Sequence, residues 1–97
     1  MILTVTKNGR WRLVGTPDEF ASFAGFTQYG DLTEVMSGLA NVMEGTTVRF
    51  KDHKGWWELS GSRADLATIV GAPEVKTVAE TLVVFESQYP DIKVLSS

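Results

Sequence analysis

Two pairs of short segments alternate between apolar and polar residues, as strands with one buried face do. Residues 2–7 and 11–14 alternate on either side of an Asn-Gly turn, and residues 47–51 and 56–60 alternate on either side of the turn 52–55. Each pair predicts a β-hairpin. The face that the alternation predicts to be buried carries Leu3, Val5, Trp11, Leu13, Val48, Phe50, Trp57 and Leu59.

Helical periodicity follows each hairpin. Residues 16–25 contain a threonine N-cap, a proline at the first helical position, an acidic residue at the third and a final glycine, which predicts a short helix. Residues 62–71 have a similar form, and apolar stripes at steps of three and four predict longer helices over 31–45 and 73–90. The stripes consist of Leu32, Val35, Met36, Leu39 and Met43 in the first half and of Val75, Val78, Leu82, Phe85 and Tyr89 in the second.

The two halves of the chain resemble each other when one is shifted by 46 residues onto the other. Residues 11–25 then lie on residues 57–71, and most of the pairs that are not identical are conservative. The identical pairs are Trp11 with Trp57, Leu13 with Leu59, Gly15 with Gly61, Ala21 with Ala67 and Gly25 with Gly71. We interpret this match as an internal duplication.

The predicted fold follows from the order ββαα-ββαα-β. A half of about 46 residues is too small to be stable alone, so we expect the repeats, about 1–45 and 46–90, to share one core in a single domain. Residues 91–96 are predicted to form a C-terminal strand. The fold class is therefore α+β, a mostly antiparallel sheet with helices packed on one face. Two hairpins on opposite sides of a helical core are the alternative, but one sheet leaves fewer edges to protect.

Composition excludes several classes of protein. The 97 residues include no cysteine, which excludes disulfides, thiolate metal sites and cysteine catalysis. No apolar run approaches the length of a membrane span, and the N-terminus alternates without the basic region of a signal peptide. We therefore expect a cytoplasmic protein that does not bind membranes. The net charge of −3 is small and has the wrong sign for a general nucleic-acid binder.

The charge is distributed unevenly along the chain. Residues 1–14 and 46–60 hold six cations and two carboxylates, whereas the rest of the chain holds three cations and ten carboxylates. Alternation places most of the hairpin cations on the strand face opposite the buried one. That face is predicted to carry Thr4, Thr6, Arg10, Arg12, Arg49, Lys51, Trp56 and Glu58.

The adjacent residues Trp56 and Trp57 must point to opposite faces of their strand. Trp57 corresponds to Trp11 in the repeat and is predicted to be buried, so Trp56 should face solvent or an interface. Such a face could bind a phosphate-bearing or carboxylate-bearing partner, since arginine offers bidentate contacts and tryptophan offers a stacking platform. The predicted binding residues are Arg10, Arg12, Arg49, Lys51, Trp56 and Glu58.

No motif in the chain indicates catalysis. The only histidine, His53, lies in a predicted hairpin turn, where a solvated side chain is expected, and it has no companions for a metal site. The chain also lacks the sequence patterns of serine hydrolases, zinc proteases and phosphate-binding loops. We therefore predict a protein that is not an enzyme, with no catalytic residues, no metal and no cofactor.

We expect a small binding or regulatory protein that acts through protein–protein interaction with an acidic protein surface. Accessory and inhibitor proteins of bacteria and phages share its size and composition. One alternative is that the same basic face binds single-stranded nucleic acid or a nucleotide. A second is a structural homo-oligomer or homodimer formed through an edge strand or the hairpin face. A third is that the face is only a solvated surface.

Overall fold

The computed structural model describes residues 1–96. Its elements, in chain order, are β1 (Ile2–Val5), β2 (Trp11–Gly15), α1 (Pro17–Phe23), α2 (Leu32–Val42), β3 (Arg49–Asp52), β4 (Trp57–Gly61), α3 (Arg63–Ile69), α4 (Val78–Gln88) and β5 (Lys93–Ser96). All five strands form one sheet with the order β3-β4-β2-β1-β5. Neighbouring strands are antiparallel except for β1 and β5, which are parallel. The predicted α+β class and the single sheet are confirmed, and the arrangement of two separate hairpin layers is wrong.

The core lies between one face of the sheet and the four helices. The strands contribute Leu3, Val5, Trp11, Leu13, Trp57 and Leu59, as alternation predicted, whereas Val48, just before β3, and Phe50 are only partly buried. The helices contribute mainly Phe20, Val35, Leu39, Leu66 and Phe85. The indole Nε1–H of Trp11 also donates to the Ser62 carbonyl at 2.6 Å, so the ring is held to the start of α3. Burial of these large side chains is the main source of stability in a domain of this size.

The centre of the sheet has a symmetric register. Leu13 lies opposite Leu59, Trp11 lies opposite Gly61, and Gly15 lies opposite Trp57. A shift of 46 residues therefore maps the pair Leu13–Leu59 onto itself and exchanges the other two pairs with each other. The bounds of β2, α1 and α2, shifted by 46, also equal those of β4, α3 and α4. The two halves are thus folded alike around β2 and β4, and their origin in a duplication stays a prediction.

The two short helices begin with equivalent capping boxes. Thr16 and Glu19 form the box of α1, and Ser62 and Asp65 form that of α3. Asp65 also accepts hydrogen bonds from the backbone N–H of Thr47 at 3.2 Å and from its hydroxyl at 3.0 Å. Burial pushes the pKa of Asp65 upward, but the hydrogen bonds from Thr47 and Ser62 outweigh it, and the pKa lies below its ordinary value. The caps therefore also position the chain that enters β3.

Two details of the helices differ from the sequence prediction. The last helix begins at Val78 and not at Pro73, because the Thr77 side chain caps it by accepting from the Glu80 N–H, while the preceding residues form a turn. In α2, Leu32 and Met36 are 47% and 40% exposed, although both belong to the predicted buried stripe. These two positions of the stripe are therefore not part of the core.

Candidate functional site

One side of the sheet faces away from the helices, and we call it the open face. The strand register aligns its side chains in two adjacent rows that cross all five strands. The first row contains Leu95, Thr4, Arg12, Ser60 and Arg49, and the second contains Lys93, Ile2, Val14, Glu58 and Lys51. Along the strand direction, Thr6 and Arg10 lie on the outer side of the first row, and His53 and Trp56 lie on the outer side of the second row.

The predicted binding residues all belong to the open face, but they do not meet at one point. Arg12, Arg49, Lys51 and Glu58 lie in the two rows, where Lys51 is directly opposite Glu58. Arg10 and Trp56 lie at opposite ends, separated by about six residues of strand, or roughly 20 Å. We call these the arginine end and the tryptophan end of the open face.

Glu58 lies at the centre of a polar network on the open face. Its Oε1 accepts a hydrogen bond from Nη2 of Arg12 at 3.1 Å and lies 3.1 Å from Nε2 of His53. Glu58 is only 8% exposed, because these neighbours cover it. The Arg12 guanidinium lowers the pKa of Glu58, against the opposing effect of burial, and His53 adds to the lowering. Glu58 is therefore a buried acceptor for two other residues and not the exposed contact residue that the sequence predicted.

His53 lies in the loop between β3 and β4, residues 53–56, and its side chain belongs to the open face. The two central residues of that loop, Lys54 and Gly55, both have positive φ (57° and 122°). The N–H of His53 donates to the Trp56 carbonyl at 2.8 Å, so these two residues close the hairpin. Their rings stack with centroids 3.9 Å apart and planes 12° from parallel. The prediction that His53 lies in the hairpin turn is confirmed, but a solvated side chain is wrong, because the ring is only 32% exposed and contacts Trp56 and Glu58.

The arginine end contains a cavity of about 260 Å³. It lies across β1, β2 and β4, and Arg12 forms the side that faces Glu58. The residues that line it are Thr4, Thr6, Arg10, Trp11, Arg12, Glu58 and Ser60. The Arg12 side chain is 58% exposed, so its guanidinium contacts Glu58 and is still accessible on the open face. Hydroxyl and guanidinium donors thus converge at one place, which is suited to binding an anion.

Sequence reasoning missed the part of the open face that β5 supplies. Lys93 and Leu95 extend the two rows because β5 pairs in parallel with β1, next to Ile2 and Thr4. The alternation of residues 92–95 predicted the strand, but nothing local to it indicated its partner. The strand adds a fourth cation, Lys93, to the rows. It also adds Leu95, a large hydrophobic residue that is exposed.

A second cavity, of about 350 Å³, lies on the other side of the molecule, where α1 approaches the end of α4. It is lined by Phe23, Tyr89 and Ile92 with the carboxylates of Glu19 and Asp91 at its rim. Within residues 1–96, no three or more histidine, aspartate or glutamate side chains are grouped as a metal site would require. No helix in that range is long and apolar enough to cross a membrane.

Comparison with known proteins adds no information about function. No protein-family model, no curated protein and no solved structure matches the chain.

Proposed function

We propose that this protein is a small non-enzymatic binding or regulatory protein whose open face docks on an acidic surface of a protein partner. The charge balance of that face is the observation that carries the proposal. Its two rows contain four cations, Arg12, Arg49, Lys51 and Lys93, and a single carboxylate, Glu58, which is already ion-paired with Arg12. An acidic surface would complement this excess of positive charge.

The apolar side chains of the open face favour a protein over a nucleic acid. Ile2, Trp56 and Leu95 are exposed large hydrophobic residues that lie among the cations. Protein interfaces combine such apolar anchors with a charged rim. Single-stranded nucleic acids instead stack their bases on aromatic rings, and the only exposed large aromatic side chain on this face, Trp56, already stacks against His53 on one side. A protein partner would contact both the cations and the exposed apolar side chains, whereas a nucleic acid would make little use of the apolar ones.

Comparative capture from a cell lysate tests the proposal. The site variant is Arg49→Glu with Lys51→Glu, which reverses two charges in the rows. The matched control is Lys7→Glu with Lys76→Glu, which reverses two exposed charges outside the rows. A protein that is retained by the wild type and the control, lost by the site variant and released as salt rises supports the proposal. Equal retention by the site variant contradicts it.

Two further measurements distinguish the alternatives. Strong quenching of tryptophan fluorescence by a ten-nucleotide oligothymidylate, weakening steeply with salt, would favour nucleic-acid binding over the proposal. A dimeric mass in sedimentation that becomes monomeric in the Arg49→Glu, Lys51→Glu variant would show that the open face pairs with a second copy. We expect no such quenching and a monomer in both the wild type and the variant.

A further inference from the structure

We propose that the cavity at the arginine end receives one carboxylate side chain, an aspartate or glutamate of the acidic partner. This inference rests on the proposed function, because it names the contact that anchors the partner on the open face. The residues that would hold the carboxylate are Thr4, Arg10, Arg12 and Ser60. The cavity volume of about 260 Å³ is below the usual range for pockets that enclose a whole small molecule. The carboxylate end of one side chain has ample room in it.

The cavity contains donors that the rest of the protein does not use. Among residues 1–96, the hydroxyls of Thr4 and Ser60 and the guanidinium of Arg10 have no hydrogen-bonding partner. Arg12 gives one N–H to Glu58 and is still 58% exposed. Thr6, by contrast, is occupied, since its hydroxyl donates to Asn8. A carboxylate, with two oxygens and about four lone-pair positions, can accept from all three unused groups and from Arg12.

The charges that line the cavity match a single negative charge. Arg10 and Arg12 contribute two positive charges, and Glu58 contributes one negative charge. One carboxylate makes this set neutral. A phosphate monoester would place nearly two negative charges beside Glu58, where like charges repel. A carboxylate therefore fits the cavity better than a phosphate monoester.

The strands hold the donors in a fixed arrangement. Thr4, Arg12 and Ser60 lie directly opposite one another on β1, β2 and β4, within one row of the sheet. Side chains at such positions have Cβ atoms about 5 Å apart, so a group placed over Arg12 is within reach of both hydroxyls. The position 46 residues beyond Arg10 is Trp56, and the one beyond Arg12 is Glu58. The tryptophan end therefore has no equivalent pair of arginines.

Binding of a fluorescein-labelled deca-glutamate peptide, followed by fluorescence anisotropy, tests this inference. We expect Arg10→Gln to raise the dissociation constant about tenfold, as the loss of one hydrogen-bonded charge does. The double variant Thr4→Val, Ser60→Ala removes both hydroxyls and should raise it by a similar factor. Lys7→Gln is the control, since it removes the same charge from the same hairpin outside the cavity, and should change the constant less than twofold.

The outcomes separate the cavity from the open face as a whole. If Arg49→Glu with Lys51→Glu weakens peptide binding but the three cavity substitutions do not, the open face is the binding surface and the carboxylate cavity is wrong. If none of these variants weakens binding, both proposals fail. If a ten-nucleotide oligothymidylate binds more tightly than the peptide and Arg10→Gln weakens it, the cavity binds phosphate and the assignment to carboxylate is overturned.

Discussion

The arginine end and the tryptophan end of the open face occupy equivalent places on the central strands, yet they present different chemistry. Arg10 lies just before β2, and Arg12 is the second residue of that strand. Trp56 and Glu58 lie at the corresponding positions of β4. One end has a cavity with unused donors, whereas the other has a ring stacked on a histidine. The scaffold is shared, so the difference between the ends lies in a few exposed side chains. Those side chains are where binding specificity is expected.

Arg12 and Glu58 show how different residues at equivalent positions change the charge of the surface. They lie at equivalent positions, 46 residues apart, and they contact each other across the centre of the sheet at 3.1 Å. Two like charges at such places would repel, because diagonal neighbours on a sheet interact. Opposite charges instead form an ion pair that covers the carboxylate and leaves the guanidinium accessible. The pair thus buries the one carboxylate of the two rows, and the excess positive charge of the open face comes from Arg49, Lys51 and Lys93.

The largest predicted difference concerns the two adjacent tryptophans of β4. Trp57 is 4% exposed and packs against Phe20 and Phe50, whereas Trp56 is 39% exposed. We expect Trp57→Ala to lower the free energy of unfolding by about 3–5 kcal/mol. Trp56→Ala should lower it by less than about 1 kcal/mol. Urea denaturation measures both, and similar losses for the two variants would show that the open face is part of the core.

The shared scaffold predicts equal effects at its centre. Leu13 and Leu59 lie opposite each other, are almost fully buried and occupy equivalent positions in β2 and β4. Leu13→Ala and Leu59→Ala should each lower the free energy of unfolding by about 2–5 kcal/mol, because each leaves a cavity in the core. The two losses should agree to within about 1 kcal/mol. A large loss in one variant beside a negligible loss in the other would contradict the equivalence of the two strands.

The central ion pair predicts a non-additive pair of substitutions. Arg12→Leu leaves the buried carboxylate of Glu58 without its main donor and should cost about 1–3 kcal/mol of stability. Adding Glu58→Leu removes the unpaired charge and should restore most of that loss. A double-mutant cycle in urea measures the coupling. If the double variant is less stable than Arg12→Leu by the full cost of Glu58→Leu alone, the two residues are not coupled.

The smallest predicted effect is a change in the pH dependence of stability. Arg12 lowers the pKa of Glu58, so the unfolded state binds a proton at this residue more readily than the native state. The stabilisation is fully present above the ordinary glutamate pKa of about 4.3 and is lost as the pH falls through the lower native pKa. Glu58→Gln should therefore weaken the fall in Tm between pH 6 and pH 3. Glu86→Gln, an exposed control on α4, should leave that fall unchanged.

The alternation of side chains was sufficient to predict the sheet, its buried face and the separation of Trp56 from Trp57. These features depend on the period of two residues, which is a local property of a strand. The burial of Glu58 and the stacking of His53 were not predictable in the same way. They depend on which residues face each other across strands and on the hairpin loop that brings His53 against Trp56.

The position of β5 was missed for a related reason. Residues 92–95 alternate, but their pairing in parallel with β1 brings together the two ends of the chain, and no local pattern encodes such a contact. The sequence therefore predicted that four strands, β1 to β4, contribute to the open face, but it did not predict the contribution of β5. It also placed Arg10, Arg12, Arg49 and Lys51 on one face without indicating that the first two line a cavity.

Titration of the ¹⁵N-labelled protein with deca-glutamate, followed by amide chemical shifts, tests directly whether the open face binds acidic protein. We expect the largest shifts in β1, β2 and β4 near Thr4, Arg12 and Ser60, smaller shifts near Trp56, and almost none in α1 or α3. Salt should reduce all of them together, because the attraction is electrostatic. Shifts concentrated on the helices, or no shifts at millimolar peptide and low salt, would contradict the assignment of the open face as the binding surface.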